Sequence, residues 1–259
     1  IVRNPEVEYV GDIYYLFDKA KKEATVTSIY GGKNKSLDAE KVAQVYTGTV
    51  SIPEQTTFNA VTYAVKKVGG YAFTCQNELQ ALRVGAFVEK IEDNAATKAM
   101  NLNRVTVANA SQLVTVGKRS FMDCAGLQHV LFEGTTQYLD VIDTAAFKNC
   151  AKLEDVIWEG KSTLRLIGDS AFYCDSKLET VKWNDKCDLK IIDNYAFYKC
   201  SSLNHFIMPN STLSVGKYAF RYDAGLTDIQ LSTSLSIIYD YAFGECGFSQ
   251  LILPESLIV

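Results

Sequence analysis

Two small groups of residues have side chains that could carry nucleophilic chemistry. Gly168-Asp169-Ser170, with Cys174 four residues beyond Ser170, has the composition of a turn that presents a hydroxyl or thiol nucleophile. Cys200 and His205 offer a thiol and a base five residues apart. An active site is normally built once in a chain, whereas a packing unit is built many times. The test is therefore whether these stretches recur.

The stretch around Ser170 is one copy of a repeated unit. The aligned copies include VGGYAFTCQNELQAL from Val68 and IDNYAFYKCSSLNHF from Ile192. Eight copies, 23 to 26 residues apart, place at one aligned position Phe73, Ala96, Phe121, Phe147, Phe172, Phe197, Phe220 and Phe243. In another copy Gly168-Asp169-Ser170 becomes Gly117-Lys118-Arg119, so its Asp and Ser occupy variable positions. The pattern favours a packing unit over a catalytic turn.

The composition narrows the class of partner. Of 259 residues 47% are hydrophobic, which is ample for a buried core. A net charge of −4 and a pI near 5.3 do not favour nucleic acid as a partner. No apolar run approaches the roughly 18 to 20 residues that span a bilayer, so membrane insertion is not predicted. The sequence begins at Ile1 without a signal-like segment, which suggests a processed piece.

Six of the seven cysteines follow the repeat, and Cys187 falls outside the unit. Four of them lie three residues after the repeat Phe: Cys124, Cys150, Cys200 and Cys246. The same slot accepts Gln76, Ala99, Asp175 and Asp223, which an obligatory disulfide would not allow. We expect a column of buried side chains that weakly hydrogen-bond neighbouring turns. A disulfide between Cys124 and Cys150, in adjacent units, stays open as the alternative.

Each unit predicts one strand and one return leg. After the unit's Leu come three residues with apolar outer members, which is typical of a strand with one buried face. Successive strands should pair in parallel at about 4.8 Å per coil, with right-handed connections. The Ala-Phe segment is too short for a stable helix, so a tight turn with its Phe inward is expected. The predicted fold is a β-rich solenoid with short turns or 3₁₀ helices on the return leg.

Two details of the unit carry specific expectations. Half of the units have Gly after the apolar residue of the return leg, as in Gly117 and Gly216, which predicts a bend with positive φ. The second unit has Ala96 where the others have Phe. Losing such a ring costs about 3 to 5 kcal/mol unless a neighbour fills the space. We expect a large residue such as Phe87 or Met100 to cover it.

Residues 1–64 lack the unit and predict a β-rich cap on the solenoid of about eight repeats formed by residues 65–259. Gly11–Phe17 and Ala24–Tyr30 are expected to form a β-hairpin. Two further strands are predicted over Thr47–Ile52 and Val61–Val65. At the other end, Leu253–Val259 looks like the opening of a ninth coil.

The unit, apolar-Gly-x-x-Ala-Phe-x-x-Cys-x-x-Leu-x-x-Val-x-apolar, closely resembles the BspA-like, or Treponema pallidum type, leucine-rich repeat. The match covers about residues 65–259 and is highly specific. The preceding segment resembles, less specifically, the one that leads into these repeats in surface proteins of Bacteroides-like bacteria. The resemblance implies a right-handed leucine-rich-repeat solenoid in a secreted or cell-surface protein, in a family associated with adhesion to host proteins and other bacteria. It does not specify a ligand.

In this class the outward strand residues line the concave side, which makes them the candidate binding face. Several aliphatic residues stand there where solvent would favour polar ones, and such a patch often marks a contact surface. The candidate residues are His129, Leu131, Asp155, Ile157, Lys182, His205, Ile207 and Ile252. His129 and His205 lie three coils apart, about 14 Å, too far to share a metal. Cys200 should point inward and His205 outward, so they do not form a dyad.

No catalytic residue, metal site or cofactor is predicted. The function expected is a protein interaction or adhesion module, with a host extracellular protein or a bacterial surface protein as partner. The alternatives are a carbohydrate-binding module, with a glycan as ligand, and a structural spacer that displays other domains. A catalytic alternative would need a cluster of polar groups on the candidate face, and only Asp155 near His129 meets that description.

Overall fold

The computed structural model describes residues 4–32, 35–36, 38, 42–184 and 186–258. Over these residues the secondary structure consists of strands and turns, with no helix. The strands are β1 (Glu8–Val10), β2 (Ile13–Asp18), β3 (Glu23–Thr27), β4 (Gly48–Ser51), β5 (Gln55–Phe58), β6 (Val61–Val68), β7 (Leu79–Val84), β8 (Lys90–Ile91), β9 (Arg104–Val107), β10 (Thr115–Val116), β11 (His129–Phe132), β12 (Thr136–Gln137), β13 (Val141–Ile142), β14 (Asp155–Trp158), β15 (Lys161–Ser162), β16 (Leu166–Ile167), β17 (Thr180–Lys182), β18 (Ile191–Ile192), β19 (His205–Ile207), β20 (Ser214–Val215), β21 (Asp228–Gln230) and β22 (Ile237–Ile238).

The repeats wind into a parallel β-solenoid. Each coil contributes a return-leg strand to one sheet, which runs in the order β6-β8-β10-β13-β16-β18-β20-β22. After the Phe turn, the coil contributes a second strand to the opposite side, where β7, β9, β11, β14 and β17 pair in sequence order. All of these pairs are parallel, as consecutive coils with one direction require. The predicted solenoid is confirmed.

The aromatic rings of the repeat stack along the interior. Phe121, Phe147, Phe172, Phe197 and Phe220 lie with successive ring centroids 5.1 to 5.3 Å apart. Each of these five side chains is at most 1% exposed. Because a buried ring of this size contributes roughly 1.5 to 3 kcal/mol, the stack is a substantial source of apolar stabilisation along the coils.

The turn that carries each ring has two left-handed residues, and they are not the glycines. In the seventh unit the positive φ angles fall on Tyr218 (59°) and Tyr222 (67°), whereas Gly216 is not in that region. The prediction of positive φ at these glycines is therefore wrong. Gly216 is required for close approach instead, since a Cβ there would lie 2.5 Å from the backbone N of Asn194 and the backbone C of Asp193 in the preceding coil.

The cysteine slot behaves as a packing and hydrogen-bonding column. The thiols of Cys124, Cys150, Cys200 and Cys246 each donate to a backbone carbonyl of the preceding coil, at 3.1 to 3.2 Å. All seven cysteines are free, Cys124 and Cys150 included. Burial raises the pKa of Cys124 to about 12 and also raises the pKa of Cys150 and Cys200, so these thiols stay protonated at neutral pH.

The leading segment continues both sheets of the solenoid. The predicted hairpin is present, because β2 and β3 pair antiparallel. The β3 strand then pairs in parallel with β6, and β4 pairs in parallel with β7. The strands predicted over Thr47–Ile52 and Val61–Val65 correspond to β4 and β6, whereas β5, which pairs with β6, was not predicted. The Tyr46 ring packs 4.7 Å from Phe73 and so extends the ring stack into the cap.

Two predicted details differ in the structure. Met100 is 42% exposed, and Phe87 is half-buried below the amino group of Lys66, so neither covers the position of the missing ring beside Ala96. The eighth coil has its return-leg strand β22, but Leu251–Leu253 do not form the expected second strand. Exposed Ile252 thus lies outside the sheet. In the predicted ninth coil, Val259 lies outside the described residues.

Candidate binding face

The strand face consists of the outward side chains of β7, β9, β11, β14, β17, β19 and β21. The period of two along each strand buries one set of side chains and presents the other. In β14 the buried members are Val156 and Trp158, and Asp155 and Ile157 are half-buried on the outside. Because neighbouring strands pair in register, equivalent outward residues form rows that cross the sheet.

One row carries polar side chains that bond across coils. His129 is in register with Asp155, and the His129 Nδ1 lies 2.7 Å from Asp155 Oδ2. His205 and Asp228 repeat the arrangement in later coils, with the same Nδ1 to Oδ2 separation of 2.7 Å. The polar pair predicted at Asp155 and His129 is present. Each carboxylate holds its imidazole in one orientation, so these side chains have defined positions on the face.

The adjoining row contains the aliphatic residues. Leu131 is in register with Ile157, and Ile157 is in register with the exposed Lys182. Beyond them, Ile207 is in register with Gln230 and is 47% exposed. The structure therefore brings Leu131, Ile157 and Lys182 together in one sheet. It places Ile207 in a separate two-stranded sheet, and Ile252 outside any strand.

An ion pair that the sequence did not indicate crosses the same face. The Arg83 guanidinium contacts both oxygens of the Glu133 carboxylate at 2.9 and 2.7 Å. The Arg83 hydrogen bonds lower the pKa of Glu133, so this carboxyl remains charged in mildly acidic solution. The repeat predicts that Arg83 points outward, but it does not predict the partner. Glu133 comes directly after β11, two coils beyond the strand that contains Arg83.

The residues considered for nucleophilic chemistry are not arranged for it. Ser170 Oγ donates to the adjacent Asp169 carboxylate at 2.6 Å, without a histidine among its hydrogen-bond partners. Desolvation raises the pKa of Cys174, which opposes formation of a thiolate. Cys200 is fully buried, whereas His205 is exposed and paired with Asp228. The expected inward and outward directions of Cys200 and His205 are confirmed.

The described segments contain neither a metal cluster nor a membrane-spanning helix. No group of three or more His, Cys, Asp or Glu side chains is placed to hold a metal ion among them. Of the same segments, none forms a helix with the length and apolarity needed to cross a bilayer.

A discontinuity in the strand face is a second feature that the repeat pattern did not predict. The sheet that begins at β4 ends at β17, and β19 and β21 form a sheet of their own. Trp183 and Pro209 border the gap. The position of Trp183 in the repeat indicates only a core residue. Pro209 was the one visible signal, because proline lacks the N–H that a sheet ladder needs.

The repeat sequence identifies the family. The model of the family described as "BspA type Leucine rich repeat region" matches residues 52–161 and 140–259, in six copies. The chain belongs to this family of leucine-rich repeat proteins. Leucine-rich repeat proteins of this family are generally not enzymes.

Comparison with one solved structure supports the same fold. A leucine-rich repeat protein from Bacteroides ovatus superposes with a TM-score of 0.70 at 22% identity, over 99% of this chain and 60% of that protein. This chain therefore spans less than two thirds of that relative's length. A leucine-rich cell surface protein from Faecalibacterium prausnitzii has a TM-score of 0.41 at 20% identity, over 98% of this chain and 84% of that protein. A comparison with curated protein sequences found no match.

Proposed function

We propose that this chain is an interaction module of a secreted or cell-surface protein, and that it binds a host or bacterial protein through the strand face. The observation that carries the proposal is the contiguous Leu131 and Ile157 pair, flanked by the fixed polar pairs of His129 with Asp155 and of Arg83 with Glu133. An apolar centre with an ordered polar rim has the composition of a protein contact surface. Membership of the BspA-type family supports the surface location.

The fixed polar pairs make protein recognition a better fit than nonspecific adhesion. Both pairs hold their side chains before any partner arrives, so less conformational entropy is lost on binding. Their charges can select a partner by complementarity, while the aliphatic pair supplies the area removed from water. Of the other candidate residues, Lys182 adjoins Ile157, whereas His205 and Ile207 lie beyond the break and Ile252 lies outside any strand.

The test is an array of host extracellular proteins, bacterial surface proteins and glycans probed with the purified chain. A detected protein partner should lose binding about tenfold or more with Ile157→Glu, because a charge would replace the apolar centre. The matched control is Leu213→Glu, an aliphatic residue 44% exposed outside the strand face. Circular dichroism would show that both variants keep their strands. Equal binding by both variants would contradict the assignment of the face, and glycan hits alone would favour carbohydrate binding.

A further inference from the structure

Two strands in consecutive coils fail to pair in the strand face. On one side of this break β17 pairs with β14, and on the other side β19 pairs with β21. No backbone hydrogen bond joins residues 179–183 to residues 204–208, all of which the structure describes. The ladder is continuous from β4 to β17, as in the bond from His129 N to Asn103 O at 3.2 Å, and it resumes from β19 to β21. Beyond β21 no second strand forms in the eighth coil, so the break between β17 and β19 is the point where the ladder is interrupted between two formed strands.

The residues at the break explain why the ladder stops. Pro209 takes the position of Glu159, whose N–H donates to the preceding coil's Phe132 carbonyl at 3.1 Å, and proline has no N–H to donate. Phe206 fills an inward position that holds Val in the four units before it. Its ring packs edge-on against Trp183 at 5.2 Å. The position of Trp183 holds the large rings Phe132 and Trp158 in the closed ladder, so the added volume at the break comes from Phe206 in place of Val.

The break leaves main-chain groups open on both edges. In a parallel strand, successive residues direct their N–H and C=O groups to opposite neighbours. Thr180 N donates towards β14 and Met208 N donates towards β21, so the groups of Val181, His205 and Ile207 face the break. The Trp183 indole Nε1 donates to the Ile207 carbonyl at 2.9 Å. One acceptor is thereby satisfied, and the N–H groups of Val181, His205 and Ile207 have no backbone acceptor.

A groove of about 610 Å³ lies over these open edges. Its walls are formed by the two strands, the Trp183 side chain and the residues around Asn210. Apolar lining comes from Val181, Ile207 and Met208, and the polar lining includes Lys182 and Asn204. Within the described surface, the groove combines apolar side chains with unpaired strand-type donors, and volumes of several hundred Å³ are typical of ligand sites.

We propose that this groove binds an extended polypeptide segment of the partner, whose main-chain carbonyls accept hydrogen bonds from the open N–H groups of the groove and which places an apolar side chain against Trp183 and Ile207. The proposal rests on the proposed function and adds the mode of recognition. Alternating N–H and C=O groups are the complement of an extended main chain, which is how strand addition gains affinity. A glycan lacks that alternation, so the exposed edges favour a peptide.

Amide hydrogen exchange in the wild-type chain tests whether the N–H groups at the break lack hydrogen-bond acceptors. The amide of His205 should exchange faster than the amide of His129, its equivalent in a closed part of the ladder. Random linear peptides displayed on phage would then be selected on the wild-type chain. A selected peptide should protect the amides of Val181, His205 and Ile207, and substituting its central residues singly by proline should weaken binding about tenfold at alternate positions.

A closing variant separates this proposal from the proposed function. Pro209→Glu together with Phe206→Val restores the missing donor and the small inward side chain of the closed coils, so selected peptides should bind it at least about tenfold more weakly. Ile157→Glu lies outside the groove and should leave them unaffected. Peptides that bind the closing variant equally, protect other amides, or are never enriched would overturn the proposal. So would glycans that occupy the groove. A protein partner lost with Ile157→Glu but kept by the closing variant would uphold the proposed function alone.

Discussion

The side-chain Oδ1 of Asp175 accepts a hydrogen bond from the backbone N of Cys150 in the preceding coil, at 2.7 Å. Asp175 replaces the cysteine of the repeat, is fully buried, and has no partner for its Oδ2 among the described residues. Asp223 bonds to Cys200 N at 2.8 Å in the same way. Burial raises the pKa of both carboxyls well above their ordinary value, so the column holds neutral acids.

This burial predicts a loss of stability as the pH rises. The unfolded chain ionises Asp175 near its ordinary pKa of 3.8, whereas the folded chain keeps the proton. The contribution of this proton is therefore fully present below about pH 3.8 and is lost as the pH rises through the folded pKa. Asp175→Asn keeps the acceptor for Cys150 and does not titrate. The difference in free energy of unfolding between the Asp175→Asn variant and wild type should therefore shift in favour of the variant by about 1 kcal/mol or more between pH 4 and pH 7.

Urea unfolding at a series of pH values measures the effect. Asp188→Asn, at an exposed position, is the control and should follow the wild-type profile. Parallel profiles for wild type and Asp175→Asn would show that the folded carboxyl is already ionised at neutral pH.

The ring stack predicts a large cost for removing one central ring. Phe172 lies between Phe147 and Phe197, at centroid separations of 5.3 and 5.2 Å. Phe172→Ala should lower the free energy of unfolding by about 3 to 5 kcal/mol. Tyr241→Ala, at a ring that is 63% exposed, should change it by about 0.5 kcal/mol or less. Chemical denaturation of the two variants makes the comparison, and equal small effects would mean that the stack does not stabilise the solenoid.

The return-leg glycines predict a steric cost that does not depend on φ. Gly216→Ala would place its Cβ 2.5 Å from the backbone of the preceding coil, and such overpacking costs about 1 to 3 kcal/mol. Gly48 has a φ of +58°, and a Cβ added there would meet nothing within 4 Å, so Gly48→Ala bears only the cost of the left-handed backbone, about 1 kcal/mol. Thermal unfolding should therefore rank Gly216→Ala as the less stable variant. The reverse order would restore the bend as the reason for this glycine.

The fold could be predicted from the sequence because its signal repeats. The Phe, the Leu and the strand triplets each recur, and their inward direction follows from one period. The glycine prediction failed because glycine serves both positive φ and close approach, and a sequence does not distinguish them. The break was hidden for a related reason. Phe206 is an apolar residue at an apolar position that holds Val in the four preceding units, so the pattern is unchanged while the side-chain volume is larger.

The candidate face was predicted only as far as the repeat applies. Register places Leu131 beside Ile157 and His129 beside Asp155, as the alternation implies. Ile252 has the same position in its unit, yet no strand forms there. The pairing of Arg83 with Glu133 depends on side-chain reach across two coils, which the strand period does not encode.

Gln76 joins the cap to the first coil, and it predicts where the cap would loosen. Gln76 occupies the slot that holds cysteine in four of the eight units. Its Oε1 accepts from Val45 N at 2.8 Å and Tyr46 N at 3.1 Å, and its Nε2 donates to Ala43 O at 2.8 Å. Gln76→Ala leaves these main-chain groups unpaired, at about 1 to 3 kcal/mol for each one that stays buried. The Tyr46 amide should then exchange with solvent at least about tenfold faster, since the segment opens without unfolding the coils. Cys124→Ala removes the slot residue of the third coil and should leave that amide unchanged. If both variants exchange alike at Tyr46, the segment is held by the packing of Tyr46 on Phe73 and not by the carboxamide.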